Sequence, residues 1–290
     1  MKRQKADITG RSQIGLLIFR FKKNRLAMVA LFFLIAASLL VLLAPLYIDY
    51  NWAIKQNIRN RFQSPNLEHW FGTDQYGRDL FARIIYGGQI SLFAGLFCVT
   101  AAAGIGILLG GIAGFLGGKV DNIVMRFTDI FMAVPHLLLS MAIVAALGQS
   151  TVNMLVALSV TMVPKFTRVM RSSILALRDL EYVEAARCCG TSSLRIILRH
   201  LLPNGMGPVI VSATVSLGAT IIAIAALGFL GIGVPPPTPE WGTILNENRA
   251  NIRYYPYLGI VPGMAIILSV LALNLVGDGL RDALDPRMKK

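Results

Sequence analysis

Charge is scarce in this sequence: Asp, Glu, Lys and Arg make up 15% of it, against roughly a quarter in an ordinary soluble domain. With 55% of its 290 residues hydrophobic, the chain is excluded from the water-soluble class and belongs in a bilayer. Cysteine is scarcer still. Cys98 sits inside an apolar run while Cys188 and Cys189 are adjacent, a spacing that supports neither a metal site nor a disulfide framework. A His-Glu-x-x-His pattern, a Gly-x-Ser-x-Gly pattern and an acid pair within an apolar run are all missing, so the signatures of common hydrolytic chemistry are absent. The nearest approach to a phosphate loop, 113–120, has Ala113 where the first glycine belongs and Val120 where a Ser or Thr would hold magnesium. No catalytic, cofactor-binding or metal-ligating residue is therefore expected here. If ATP and Mg are used, another subunit has to bind them.

What the chain has instead is long apolar runs. The first, 26–48, contains no Asp, Glu, Lys or Arg, and at about 1.5 Å per residue it crosses roughly 30 Å of hydrocarbon. Lys22, Lys23 and Arg25 precede it as they would in a cleaved signal peptide, but such a peptide has an apolar core of only about 7–15 residues. Further runs at 90–116, 130–147, 152–163, 209–232 and 257–276 predict an all-α polytopic fold of six transmembrane helices. The fourth run is short, and its helix is expected to start near Ser150 and continue past Lys165, Arg168 and Arg171 into the headgroups. The expected division is a tail over 1–25, a first span over 26–48, a loop over 49–89, a core of spans two to six over 90–277, and a tail over 278–290.

Most of the 28 Lys and Arg fall on one side of these spans: Lys2, Arg3, Lys5, Arg11, Arg20, Lys22, Lys23 and Arg25 before the first, Lys119 and Arg126 between the second and third, Lys165 to Arg199 between the fourth and fifth, and Arg281, Arg287, Lys289 and Lys290 after the sixth. The positive-inside rule makes that side, and both termini, cytoplasmic. The same distribution accounts for the basic excess by topology, so the charge does not call for nucleic acid or anionic lipid as a partner. Trp52, Trp70 and Trp241 fall on the other side, as interface anchors or contact residues. Within the spans, Gly104, Gly106, Gly110, Gly111 and Gly114, then Gly218, Gly228, Gly231 and Gly233, suit close helix approach.

A secondary transporter usually keeps ionisable groups at the midplane. The cores of these runs lack Asp, Glu, Lys and Arg, leaving His136 beside Pro135 and Asn274 as the polar candidates. An ion-coupled transporter or channel built on those two is the alternative reading.

The polar segment 178–203 carries the strongest signal. A helix over 178–187, ended by a left-handed Gly190, is followed by Thr191, Ser192 and Ser193 as caps for a second helix, in which Leu194, Ile197, Leu198 and Leu201 form one stripe before Pro203 ends it. A DNA-reading helix-turn-helix is the competing interpretation, but the segment is too short for an independent core. A docking element for a cytosolic protein fits better.

At these residues the chain resembles the membrane permeases of bacterial ABC importers that work with a binding protein. Their loop reads Glu-Ala-Ala, three residues, Gly, nine residues, an aliphatic residue, one residue, Leu-Pro; Glu184, Ala185, Ala186, Gly190, Leu202 and Pro203 match, while His200 departs at the aliphatic position. The stretch 199–204, together with 71–79 (Phe-Gly-Thr-Asp-Gln-Tyr-Gly-Arg-Asp), 236–242 (Pro-Pro-Thr-Pro-Glu-Trp-Gly) and 274–286, resembles the "C" type permease of dipeptide, oligopeptide or nickel systems. The resemblance implies a type I importer permease in a bacterial inner membrane. It also implies a second, unlike permease, two ATP-binding subunits and an extracytoplasmic binding protein as partners, and peptides or metal chelates as cargo. It makes Glu184 to Pro203 the ATPase-coupling loop and makes Gly72, Thr73, Asp74, Gly77, Arg78, Asp79, Pro237, Glu240 and Trp241 candidate contacts for the binding protein. Bland readings of the same residues remain: Thr73 or Asp74 as the cap of an amphipathic helix towards Tyr86, the proline run as a rigid turn, and Asp278, Arg281 and Asp282 as a solvated helix end.

Overall fold

The computed structural model describes residues 13–284, which leaves Lys2, Arg3, Lys5, Arg11, Asp285, Pro286, Arg287, Lys289 and Lys290 outside the described residues. The described chain is helical, with no strand beyond an isolated bridge between Thr73 and Asp79. Helix α1 (Gln13–Lys23) leads into α2 (Arg25–Leu42) across Asn24, whose side-chain oxygen accepts from the Ala27 amide and so caps the first apolar helix. A short α3 (Tyr50–Ile54) lies in the first loop.

Helix α4 (Leu80–Leu116) starts well before the apolar run at 90 because Asp79 caps it, accepting from the Ala82 amide at 2.7 Å. Neither Thr73 nor Asp74 caps it. The amphipathic segment and the second span are thus one continuous rod of 37 residues, about 55 Å long.

The run 130–147 is not one straight helix. Helices α5 (Gly118–Met132) and α6 (His136–Leu147) meet at a bend of 88°. Pro135 supplies the reason, since it lacks an amide donor and pushes Val134 out of the helical region. Helix α7 (Thr151–Leu177) is capped by Ser150 and continues past Lys165, Arg168 and Arg171 as expected. The loop helices α8 (Glu181–Cys188) and α9 (Ser193–Ile196) follow, then α10 (Leu202–Phe229), α11 (Trp241–Asn248) and α12 (Tyr257–Leu284). Among the described residues, four helices are long and apolar enough to cross a membrane, and the bent pair α5–α6 raises that to five. Helix α7 has the length but carries three cations in its second half.

The longest seam is α4 against α7, and glycine makes it possible. A Cβ at Gly106 would lie 2.5 Å from the Phe166 Cβ, and one at Gly114 would lie 2.9 Å from the Ile174 Cβ. Gly106, Gly110 and Gly114 recur every four residues, so they line one face and let the two backbones touch. Gly104, by contrast, has nothing within 4 Å and takes no part in this packing.

Candidate functional site

At one end of the bundle, 180–203 folds into two helices at an angle. Helix α8 begins at Glu181, three residues later than the sequence suggests, and Gly190 ends it at φ +72°. The Gly190 amide donates to the Arg187 carbonyl and the Thr191 amide to the Ala186 carbonyl, satisfying carbonyls that the helix end leaves free. Ser192 takes the cap position of α9, though without a side-chain hydrogen bond.

The expected stripe divides. Ile197 and Leu201, with Ile196 and Val183, are buried against Phe166, Met170 and Ile174 of α7, whereas Leu194 and Leu198 are 62% and 50% exposed. Nor does Pro203 end a helix. The chain passes from α9 through a π turn over Ile197–Leu201 straight into α10, with Pro203 in its first turn, where a missing amide donor costs little. Leu202 is buried and abuts Gly111. His200 lies within the π turn.

The outer surface of this knob offers Glu184, Ala185, Leu194 and Leu198 to solvent, and Ala186 is half-buried. Its base is tied to the end of α4: Arg178 Nη1 donates to the Gly114 carbonyl at 3.1 Å, and the Arg187 guanidinium stands 5.0 Å over the Phe115 ring.

At the other end of the bundle, 57–79 and α11 form a second cluster. Asp74 is fully buried; one oxygen accepts from the Tyr76 and Arg78 amides and the other from Arg78 Nε at 2.7 Å. Arg78 and Arg83 both reach Glu247 on α11, and Gln75 donates to the Glu247 carbonyl at 2.8 Å. Thr73 is buried and bonded to Asn60 and Gln63, and Asp79, besides capping α4, meets His69 Nδ1 at 2.8 Å. Gly72 and Gly77 are buried turn residues with positive φ.

Glu240 is also fully buried and caps α11. Its carboxylate accepts from the Gly242 and Thr243 amides, both at 2.8 Å, and from the hydroxyls of Ser91 and Thr243. Burial pushes its carboxyl pKa up, and the four hydrogen bonds oppose that shift. Trp241 is 3% exposed and donates to the Ile84 carbonyl, so it is a core residue and not an interface anchor, unlike the exposed Trp52 and Trp70. Of the nine residues singled out on this side, only Pro237 is exposed. The other eight build the scaffold that joins the first loop, α4 and α11 into one body.

Arg83 and Glu247 were missed in the sequence because their pairing spans 164 positions and neither sits in a local motif. The two polar candidates of the transporter alternative do not converge. His136 lines a cavity between the α5–α6 break, α7 and α10, while Asn274 is not among its lining residues and packs beside Gly218. Asp278, Arg281 and Asp282 are exposed at the end of α12.

Comparison with known proteins gives a consistent picture. The family model described as the binding-protein-dependent transport system inner membrane component matches residues 106–290, and that of the N-terminal TM domain of oligopeptide transport permease C matches 12–65. The chain is 47% identical over 270 residues to the dipeptide transport system permease protein DppC of Alkalihalophilus pseudofirmus, covering 93% of this chain and 88% of that one. It is 43% identical over 270 residues to the glutathione transport system permease protein GsiD of Escherichia coli, covering 93% and 89%. Among solved structures, a chain of the inward-facing MetNI methionine ABC transporter matches with a TM-score of 0.53 at 20% identity, covering 69% of this chain and 93% of that one.

Proposed function

Because the chain belongs to the family of binding-protein-dependent transport system inner membrane components, we propose that its cargo is a small peptide handed over by an extracytoplasmic binding protein. It is a multi-pass permease subunit of an ABC importer in a bacterial inner membrane, and nucleotide is used by separate ATPase subunits. The dipeptide and glutathione named for two relatives support peptide cargo over nickel or another chelate.

In this reading α2, α4, the bent pair α5–α6, α7, α10 and α12 are the six spans, and the end bearing α8 and α9 faces the cytoplasm with both termini. A second, unlike permease completes the membrane part, two ATP-binding subunits sit beneath it, and the binding protein docks at the opposite end. The loop is the coupling element: Leu194 and Leu198 enter a groove of an ATPase subunit, Glu184 adds a charged contact, and Gly190 sets the angle between the helices. The observation that carries this is the division of the knob into a buried base and an exposed outer face, with the base held to α4 by Arg178 and Arg187. Displacement of the knob by closing ATPases is passed to α4, a single rod whose far end is joined to the Asp74–Glu247 cluster. ATP and the loaded binding protein then favour the outward-open form only through tighter binding to it.

Uptake of radiolabelled dipeptide into proteoliposomes containing this chain, its permease partner and the ATPases tests the reading. It is expected to need both ATP inside and loaded binding protein outside. Uptake driven by an ion gradient without the ATPases would overturn it.

A further inference from the structure

Lys165 is placed where a cation is hard to keep. It lies midway along α7, and its Nζ donates at 2.7 Å to the hydroxyl of Ser216, midway along α10. The sequence suggests that Lys165 leads α7 out into the headgroups, but its Nζ turns inward to α10, and a cation held inside a bundle of spans is expensive and is retained where it does something. Its neighbours on α7 are neutralised within the chain, Arg168 by Asp129 and Arg171 by Asp121. Among the described residues no carboxylate stands within ion-pair distance of Lys165, so its charge is left for something else to meet.

The space beside it is shaped to receive a small polar molecule. A cavity of about 320 Å³ opens between the α5–α6 break, α7 and α10, and Lys165, His136, Thr161, Ser216 and Thr220 are its polar lining. That volume lies within the usual range of small-molecule sites. Irregular backbone within a membrane is tolerated where it lines a cavity, and the break at Pro135 does so here. The hydroxyls are ordered: Ser216 donates to the Ser212 carbonyl while accepting from Lys165, and Thr161 meets Ser140 at 3.1 Å. One of the three ammonium protons is therefore used, which leaves two for a ligand.

We propose that Lys165 reads the carboxylate of the cargo inside the membrane, holding an acidic small molecule such as a peptide through its C-terminal carboxylate, with Ser216 as the residue that positions the ammonium. The inference rests on the peptide reading. It adds a selective contact within the permease, downstream of whatever the binding protein selects, and it makes the bend at Pro135 one wall of the passage.

The assembled importer in proteoliposomes of neutral lipid, supplied with ATP and saturating binding protein loaded with radiolabelled alanyl-alanine, tests it. Lys165→Gln is expected to lower peptide uptake per ATP hydrolysed about tenfold, the loss of roughly 1.4 kcal/mol of binding, and Lys165→Arg to keep most of it. In nucleotide-free complex without binding protein, alanyl-alanine amide is expected to displace radiolabelled alanyl-alanine about tenfold less well than the unlabelled acid does. In Lys165→Gln the two are expected to compete equally. Unchanged uptake per ATP in Lys165→Gln, equal competition in the wild type, or a fall of uptake and hydrolysis in step, as a merely structural lysine would give, overturns the assignment. A wild-type complex that hydrolyses ATP in response to its binding protein yet takes up no peptide overturns the peptide reading, and this assignment with it.

Discussion

Arg171 grips Asp121 with both arms of its guanidinium, Nε on one carboxylate oxygen at 2.5 Å and Nη2 on the other at 2.6 Å. With Arg168 on Asp129 at 2.7 Å, this fastens the amphipathic α5 along α7 and fixes the direction from which the chain enters its 88° bend. Both partners of the first pair are partly exposed, so solvent screening limits it to about 1 kcal/mol. Arg171→Lys is expected to lower the thermal midpoint of the purified protein by a few degrees, since an ammonium cannot span both oxygens. A double-mutant cycle of Arg171→Met with Asp121→Asn should return a coupling energy of about 1 kcal/mol. Additive losses would show that the pair holds nothing.

The α4–α7 seam makes a sharper prediction. At Gly110 the Thr167 carbonyl and Arg171 amide of α7 occupy the space of any side chain, and backbone cannot step aside cheaply. Gly110→Leu is expected to destabilise the protein by about 3 kcal/mol or more and to reduce the folded protein recovered from membranes. Gly104→Leu, where nothing lies within 4 Å, is the control and should behave as wild type.

The two positions look alike in the sequence, and that marks what could be read there. Spacing of four among Gly106, Gly110 and Gly114 is legible as a packing face; that Gly104 points elsewhere needs the partner helix. The apolar runs, the left-handed Gly190 and the cationic continuation of α7 were legible because each depends on local chemistry. The break at Pro135 was hidden by an apolar composition that reads as one span. The roles of Asp74 and Glu240 were hidden because their partners, Arg83, Glu247 and Ser91, come from distant segments.

The buried ion cluster carries the next prediction. Arg83 is fully buried between Asp74 and Glu247, with Nη1 also on the Ala53 carbonyl at 3.3 Å. Removing one member of such a set leaves charge buried without compensation, typically about 3–5 kcal/mol. Arg83→Met is expected to loosen the start of α4 from α11 and the first loop, seen as faster hydrogen exchange over 57–79 and 241–248. Combining it with Glu247→Leu should recover part of the loss.

Glu240 gives a pH dependence of definite sign. Its carboxyl is raised above the ordinary 4.5 by burial, so between the unfolded and folded values the folded protein binds more protons than the unfolded one. The stability this supplies is full below the unfolded value and is lost as pH rises through the folded value. Wild-type stability relative to Glu240→Gln should therefore increase as pH is lowered from neutrality towards 4.5. At neutral pH the variant is expected to be less stable, because the glutamine NH2 faces donors that the second oxygen accepts from. A pH-independent difference would mean that Glu240 does not titrate in that range.

The knob of α8 and α9 separates shape from contact. Gly190 has open space around it but holds φ +72°, so an alanine there meets no neighbour and still costs about 1–2 kcal/mol of backbone strain. That strain is relieved by swinging α9 relative to α8, which moves Leu194 and Leu198 out of register with the ATPase groove proposed for them. Glu184→Lys leaves the backbone alone and reverses a charge on the exposed face. Both variants are expected to insert in the membrane and to lower uptake per ATP hydrolysed, by different routes. Glu184→Lys should respond to ionic strength, since an exposed charge contact is screened over roughly 10 Å at 0.1 M salt. Gly190→Ala should not. Equal salt sensitivity of the two would assign the defect to assembly and not to the angle that Gly190 sets.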